Sequence, residues 1–584
     1  MVMRLLGAFG ALAVTAGLSR FSPQAFTFFE HSAEHELLFI FFQVAVLFIL
    51  SFIVFYISSV TKLPSFVVAI FFGIAGHGIL KPIIENEAIL NSLVGFGATL
   101  ILFGGGLETP FTNFKKLIGK ILALSFVGLL FTAITFSGTV VVLSNFFGAS
   151  VSIMVAVLLG AVLSSTDPAA IIPVLKRLRF YNRSTKDIVV SESAVTDVTG
   201  TLLTVAFLGV IATGKNFTSL SGWYASIATP ESGFILLKQV VFGVIFGAIG
   251  YVFLEILQRF KKTHTREFEA DSAFFLFIPV VIFTIALAFG GSGYLAAFIA
   301  GLLFNLTEHL HETERFFNHI IDGFFKPTIF ILLGALVDPA QLIEFAGIGI
   351  LAAIIFMVII RPAGVFLSLF PSLIFGKEKM TVRDVLFISC VRETGAIPAV
   401  LMITIASAGI GNIRGLAPIG MWVILLTLII EPVLTPWIAK KLKVAEEIGD
   451  VEKTDMGLSP IVVLGTRGRS FISRLPMVAE WSKRHGIERL MVMLCLEDKY
   501  SSELSETINQ EAQVEFAKIN RDLKDGGKGE IDFVFTARTG FLQENINELA
   551  ASDTNVTAIF VGRKMLDFRL NEIKKLHVPL YFME

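Results

Sequence analysis

One apolar stretch of the chain carries Ser191-Glu192-Ser193-Ala194-Val195-Thr196-Asp197. A charged side chain inside a membrane helix costs several kcal/mol unless it is paired or hydrated, so a carboxylate there marks function by default. At about 100° per residue, Ser193 and Asp197 share one helix face, where a hydroxyl and a carboxylate can converge on one small hard cation. A carboxylate drawn partly out of water can hold a proton or a well-coordinated cation, and the two exclude each other. Glu192 points about 140° away from Asp197. It is free to pair with the arginine of Arg361-Pro362, a buried candidate in a later apolar segment. A helix N-terminal acid at the interface is the alternative, but Glu192 stands inside the apolar run that begins at Ile188.

Two further polar runs interrupt apolar segments. In Ser164-Ser165-Thr166-Asp167-Pro168, proline lacks a backbone donor and disfavours helix at Asp167, so the helix should break there. A break at membrane depth is tolerated only around a polar cavity. Arg392-Glu393-Thr394-Gly395, followed by Pro398, reads as a second broken helix. Interrupted helices in corresponding halves of a chain point to a transport site near the midplane, built from inverted repeats.

These residues need a frame of helices, and composition supplies it. The chain has 584 residues, 54% of them hydrophobic and 16% charged, against roughly 25% charged in soluble domains. It holds 58 phenylalanines and 7 tyrosines, a bias toward rings with no polar tip that suits lipid contact. Segments of roughly 20 apolar residues recur between 38 and 440, including 38–58, 62–80, 188–212, 324–337, 384–408 and 416–438. The pattern predicts an all-α polytopic membrane domain of about 13 transmembrane helices, in inverted six-helix repeats with broken crossing helices. Residues 1–18 are a signal peptide or an extra helix, the former favoured. Lys115, Lys116 and Lys120, then Arg177 and Arg179, then Lys261 and Lys262 sit in loops of one parity, which places those loops and the C-terminal region in the cytoplasm.

After Lys443 the composition becomes charged. Residues 441–457 read as a linker and 458–584 as a small cytoplasmic doubly wound α/β domain. Its expected strands are 461–465, 490–496, 532–536, 556–562 and 578–582.

Together these residues resemble the monovalent cation:proton antiporter superfamily, in particular its sodium/proton exchangers. The ordered set is Thr166-Asp167-Pro168; Ser191-Glu192-Ser193 before Asp197; Gly291-Ser292-Gly293-Tyr294-Leu295-Ala296 with Gly301; Leu332-Leu333-Gly334 with Asp338; and Arg361-Pro362. The resemblance spans 38–440. It implies a dimeric antiporter of the bacterial plasma membrane in which Asp197 binds cation or proton, Ser193 and Thr166 supply oxygens, and Asp167 neutralises half-helix ends. Glu192 with Arg361 is then a structural ion pair. The family places asparagine or a second aspartate before the essential aspartate, whereas this chain has Thr196. One carboxylate in that pair favours electroneutral exchange, with sodium the favoured cation and a potassium/proton antiporter or ligand-gated potassium efflux system the alternative. No clear equivalent of the family's acidic third-span ligand is present, although Glu108 lies nearby. The tail resembles universal-stress-protein-like domains through its element order and the segment 555–563, which makes a nucleotide or regulatory partner conceivable, although phosphate-binding glycines are lacking.

Other chemistries find little support. Net charge is −1, so no basic field exists for nucleic acid. Cys390 and Cys495 are too far apart in sequence to suggest a disulfide framework or metal cluster. No catalytic pair or zinc motif indicates an enzyme, and no cofactor beyond the transported ions is expected. His77 reads as a helix-end histidine with a backbone partner. His309, His311 and His319, among Glu308, Glu312 and Glu314, read as a solvated charged loop.

Overall fold

The computed structural model describes residues 10–17, 33–61, 63–109, 111–166, 174–175, 178–263, 271–304, 317–375, 380–391, 394–447, 461–466, 471–487, 489–496, 502–525, 531–539, 556–562 and 580–583. The chain divides into two compact units, Met1–Ile448 and Gly449–Glu584.

The first unit is helical. Its helices are α1 (10–17), α2 (Ala33–Thr61), α3 (Ser65–Ala75), α4 (His77–Glu85), α5 (Glu87–Glu108), α6 (Phe111–Leu122), α7 (Leu129–Phe147), α8 (Ile153–Leu163), α9 (Arg183–Ala212), α10 (Leu220–Ile227), α11 (Pro230–Thr263), α12 (Asp271–Ala288), α13 (Gly293–Phe304), α14 (Lys326–Leu336), α15 (Pro339–Glu344), α16 (Ala346–Ile355), α17 (Arg361–Phe375), α18 (Val382–Cys390), α19 (Ala396–Ser407) and α20 (Leu416–Leu442). Eight helical segments among the described residues are long and apolar enough to cross a membrane. A ninth forms if α3 and α4, bent by 88°, count as one span. Outward faces are apolar as well as the core: Phe41, Phe48 and Phe52 of α2 and Phe234 and Phe253 of α11 are exposed, as expected where the surrounding medium is hydrocarbon.

Where the sequence suggested one straight span over 62–80, the chain bends at Gly76 between α3 and α4. The Nδ1 of His77 meets the Ala335 carbonyl oxygen at 2.5 Å, fixing the bend to the end of α14. Three π-helical turns, Ala123–Gly128, Ile321–Phe325 and Phe356–Ile360, lead into α7, α14 and α17. Pro327 and Pro362 stand just beyond the last two. A proline leaves the carbonyl four residues back without its helical donor, and a wider turn accommodates the loss. Helix ends are capped locally: Ser152 accepts from the Val155 amide at the start of α8, and Thr381 with Asp384 forms a capping box at the start of α18.

Two short strands join distant parts of this unit. β1 (Leu178–Phe180) pairs antiparallel with β2 (Ala445–Glu447), so the first residues after α20 are tied to the segment leading into α9. No alternating pattern marks three-residue strands in advance. Thr15 of α1 is buried, within reach of Gly76.

The second unit holds β3 (Ile461–Thr466), β4 (Arg489–Leu496), β5 (Asp532–Thr539), β6 (Val556–Gly562) and β7 (Leu580–Met583), with helices α21 (Leu475–Arg484) and α22 (Ser502–Asp525). All strand pairs are parallel, in the order β5-β4-β3-β6-β7. Val462, Leu464, Leu490, Val492 and Phe516 build its core. Near-continuous apolar strands are what a parallel sheet covered on its faces requires.

Candidate functional site

α9 starts where the Asn182 side chain caps the Ser184 amide and carries Glu192, Ser193, Thr196 and Asp197, all buried, through the middle of the unit. α8 stops at Leu163, and Ser164, Ser165 and Thr166 continue without helical structure. Asp167 and Pro168 lie outside the described residues. Gly200 lets α9 press onto this break, because a Cβ there would come within 2.7 Å of the Ser165 Cβ.

Hydroxyls stitch the break to α9. The Ser193 hydroxyl donates to the Thr166 carbonyl at 2.5 Å. Thr196 donates to the Ser193 carbonyl at 2.9 Å, so the 2.8 Å contact between the Thr166 and Thr196 hydroxyls has Thr166 as donor, since each hydroxyl has one proton. Thr196 thus bridges to the neighbouring break with a hydroxyl, where an amide was the family's expected bridge. Thr201 donates to the Asp197 carbonyl at 2.7 Å, and Thr199 to that of Ser125 at 3.1 Å.

Glu192 turns to the other side of α9. Its Oε2 accepts from the Nη2 of Arg361 at 2.7 Å, with the two side chains 3% and 2% exposed. Among the described residues, Glu192 Oε1 and Arg361 Nε have no hydrogen-bond partner. A sealed pair with two unmet polar atoms is held by the packing around it and, on its own, adds little net stability.

The second interrupted helix is also in place. α18 ends at Cys390 and α19 begins at Ala396, with the Thr394 hydroxyl 2.6 Å from that of Thr427 in α20. Arg392 and Glu393 lie outside the described residues. α19 packs against both α8 and α9, which brings the two breaks to the same region.

A cavity borders Asp197. It is lined by Glu108 of α5, Ala194 and Asp197 of α9, Asn318 in the helical residues 317–320, Asp322 of the turn before α14, and Lys326 of α14. Ala194 and Asp197 are three residues apart on one face, while Ser193 faces the break, so Asp197 stands at the edge between cavity and hydroxyl cluster. Glu108, which the sequence placed only nearby, lines the same cavity. Lys326 and Asp322 were not singled out from the sequence; the signal was Lys326-Pro327 inside an apolar run, the same base-proline pattern as Arg361-Pro362. Among the described residues no group of three metal-ligating side chains could hold a resident metal ion. His319 is described, whereas His309 and His311 with their neighbouring glutamates are not.

Glycines of the motifs serve close packing. A Cβ on Gly334 would come within 2.2 Å of the Ile70 carbonyl, and one on Gly301 within 2.2 Å of the Phe103 carbonyl. The small residues of α13 and α14 thereby let whole helices touch.

Comparison with known proteins places this architecture. The family described as sodium/hydrogen exchanger, transmembrane, matches residues 46–441. A protein named K(+)/H(+) antiporter NhaP, from Alkalimonas amylolytica, is 28% identical over 435 residues, 70% of this chain and 67% of the relative. K(+)/H(+) antiporter NhaP2 of Shewanella oneidensis is 27% identical over 342 residues, and the match spans 55% of its length and 58% of this chain. A probable Na(+)/H(+) antiporter 2 from Methanocaldococcus jannaschii is 25% identical, covering 53% of this chain and 72% of that protein. The solved structure of the sodium proton antiporter MjNhaP1 from Methanocaldococcus jannaschii shares the fold, with a TM-score of 0.54 at 21% identity over 68% of this chain and 99% of that one. With the family matched over residues 46–441, more than half of its length, this chain belongs to the sodium/hydrogen exchanger family.

Proposed function

We propose that the protein exchanges a monovalent cation for protons across a membrane, with cation and proton competing for Asp197. The observation that carries this reading is the placement of Asp197: a buried carboxylate that lines a cavity, beside hydroxyls held at a helix break. A carboxylate drawn out of water is costly to leave bare, so the site is occupied by a proton or a cation when it crosses the barrier. The oxygens of Ser193, Thr196 and Thr166, with those of Asp167, are the ligands we assign to a dehydrated cation, and Glu192 with Arg361 is a structural brace. Arg392 and Glu393 belong to the matching break in the other half.

The crossing elements we infer are the eight long helices, the bent pair, and the shorter apolar helices α8, α12, α13 and α19. They give thirteen spans, two inverted six-helix halves with the seventh span as a linker between them. Counting basic loops then puts the ends of α5 and α14 that line the cavity on the cytoplasmic side, so the site is open inward. One titrating carboxylate, with Thr196 in place of a second acid or an amide, supports one-for-one electroneutral exchange. We further infer a homodimer in the bacterial plasma membrane. The sheet of the second unit has the order of doubly wound α/β folds, and we assign it to the cytoplasm as a regulatory domain.

The relatives carry both potassium and sodium in their names, so the potassium/proton reading stands beside the sodium one. Everted membrane vesicles with a pH-sensitive dye, challenged in turn with sodium, lithium and potassium, decide between them. The expected result is collapse of the pH gradient by at least one of these ions and its loss in Asp197→Asn. Transport that survives Asp197→Asn would exclude the proposed mechanism.

A further inference from the structure

On the antiport reading above, we propose that the ion pair of Asp322 and Lys326 sets the apparent affinity of Asp197 for the transported cation. Among the described residues, the charged ones lining the cavity are Asp197 on α9, Glu108 on α5, Asp322 on the π-helical turn Ile321–Phe325 and Lys326 at the start of α14. Lys326 is the one base among them. Behind Asp197, on the same helix, Glu192 is already neutralised by Arg361.

Three features fix the position of the Lys326 side chain in this cavity. Its side chain is only 11% exposed, so its stem is embedded in helix packing. Its Nζ is held 2.8 Å from Oδ1 of Asp322. Asp322 itself is 62% exposed, so the pair presents its acid to the open side and its base to the wall. A basic residue four positions after an acid is the favourable helical orientation. The π turn, imposed by the missing amide of Pro327, re-aims the residues on either side of it.

A cation entering toward Asp197 meets the field of all four groups. Lys326 opposes entry and Asp322 cancels part of that opposition. Charges in a narrow cavity with low-dielectric walls interact more strongly than in bulk water. Removing the base therefore tightens cation binding, and removing the acid weakens it.

The test is the KM for the cation at one fixed alkaline pH, in everted vesicles whose medium faces the cavity. The expected KM is lower by about three- to tenfold in Lys326→Gln and higher by about the same factor in Asp322→Asn. It stays near wild type in Lys326→Arg and in the double variant Asp322→Asn/Lys326→Gln. A merely structural role would lower Vmax in both single variants without moving KM in opposite directions. KM does not depend on how much protein reaches the membrane, so poor expression of one variant leaves the comparison intact. Transport by the wild type with KM unchanged in both single variants overturns this proposal alone. Absence of transport by the wild type overturns the antiport reading and the proposal with it.

Discussion

Arg361 and Lys326 are built the same way and used differently. Each follows a π-helical turn and precedes a proline, each is buried, and each has a carboxylate at 2.7 or 2.8 Å. The Arg361–Glu192 pair joins two distant segments and is sealed at both ends. The Lys326–Asp322 pair is local to one helix start, with its acid in the open. Sealing decides what removal of one partner does. A charge stranded in the interior cannot be rehydrated, whereas one that reaches water can. The first pair should therefore govern stability, and the second should govern affinity.

The largest effect is expected for Arg361→Gln, which leaves Glu192 buried without its partner. The cost should be about 3–5 kcal/mol, read as a large drop in the thermal unfolding temperature of the purified protein in detergent. The double variant Glu192→Gln/Arg361→Gln should recover at least half of the loss, because no uncompensated charge remains. Lys326→Gln should cost no more than about 1 kcal/mol in the same assay. Equal losses at positions 361 and 326 would erase the distinction between a sealed and an open pair.

Next comes the contact that positions the hydroxyl cluster. In Gly200→Ala the added Cβ meets Ser165 at 2.7 Å, and forcing α9 away from the break should cost about 1–3 kcal/mol. Thermal unfolding reports the strain, and a raised cation KM reports the displaced site. Thr196→Val fills the same volume without the hydroxyl. It strips Thr166 of its acceptor and leaves a buried donor unmet, worth about 1–3 kcal/mol. KM for the cation should rise several-fold, while Thr196→Ser stays near wild type. Wild-type stability and KM in Thr196→Val would remove the hydroxyl bridge from the site.

How far the sequence announced these features follows from contrast. Polar residues in α9 stand out because their neighbours are apolar, and Glu192, Ser193, Thr196 and Asp197 were legible for that reason. So was the interruption after α8, because Pro168 leaves no helical alternative nearby; the chain in fact leaves the helix at Leu163, earlier than the proline alone requires. Lys326 was hidden because it stands two residues into the expected span 324–337, where a lysine reads as an interfacial flank. Two of the π-helical turns, Ala123–Gly128 and Phe356–Ile360, were invisible for a different reason: in a segment apolar on every face, an inserted residue changes no periodic pattern. The bend at Gly76 had visible ingredients in Gly76, Gly78 and Pro82, but its anchor, the Ala335 carbonyl held by His77, is a tertiary contact that local pattern does not contain. Strands β3 to β7 were close to their expected places because parallel strands are short apolar runs between charged segments.

The smallest effect is expected at a third ion pair, whose distances are as short as those of the other two. Arg414 donates from one nitrogen to both carboxylate oxygens of Glu344, at 2.7 and 2.9 Å, and joins the turn before α20 to the end of α15. Its side chains are 54% and 44% exposed. Water replaces each partner when the other is removed, so Arg414→Ala should lower stability by only about 0.2–1 kcal/mol. The same detergent unfolding assay should place it with Lys326→Gln and well apart from Arg361→Gln. If Arg414→Ala matched Arg361→Gln instead, distance and geometry rather than burial would rank the ion pairs of this protein, and the division between a stability pair and an affinity pair would lose its physical basis.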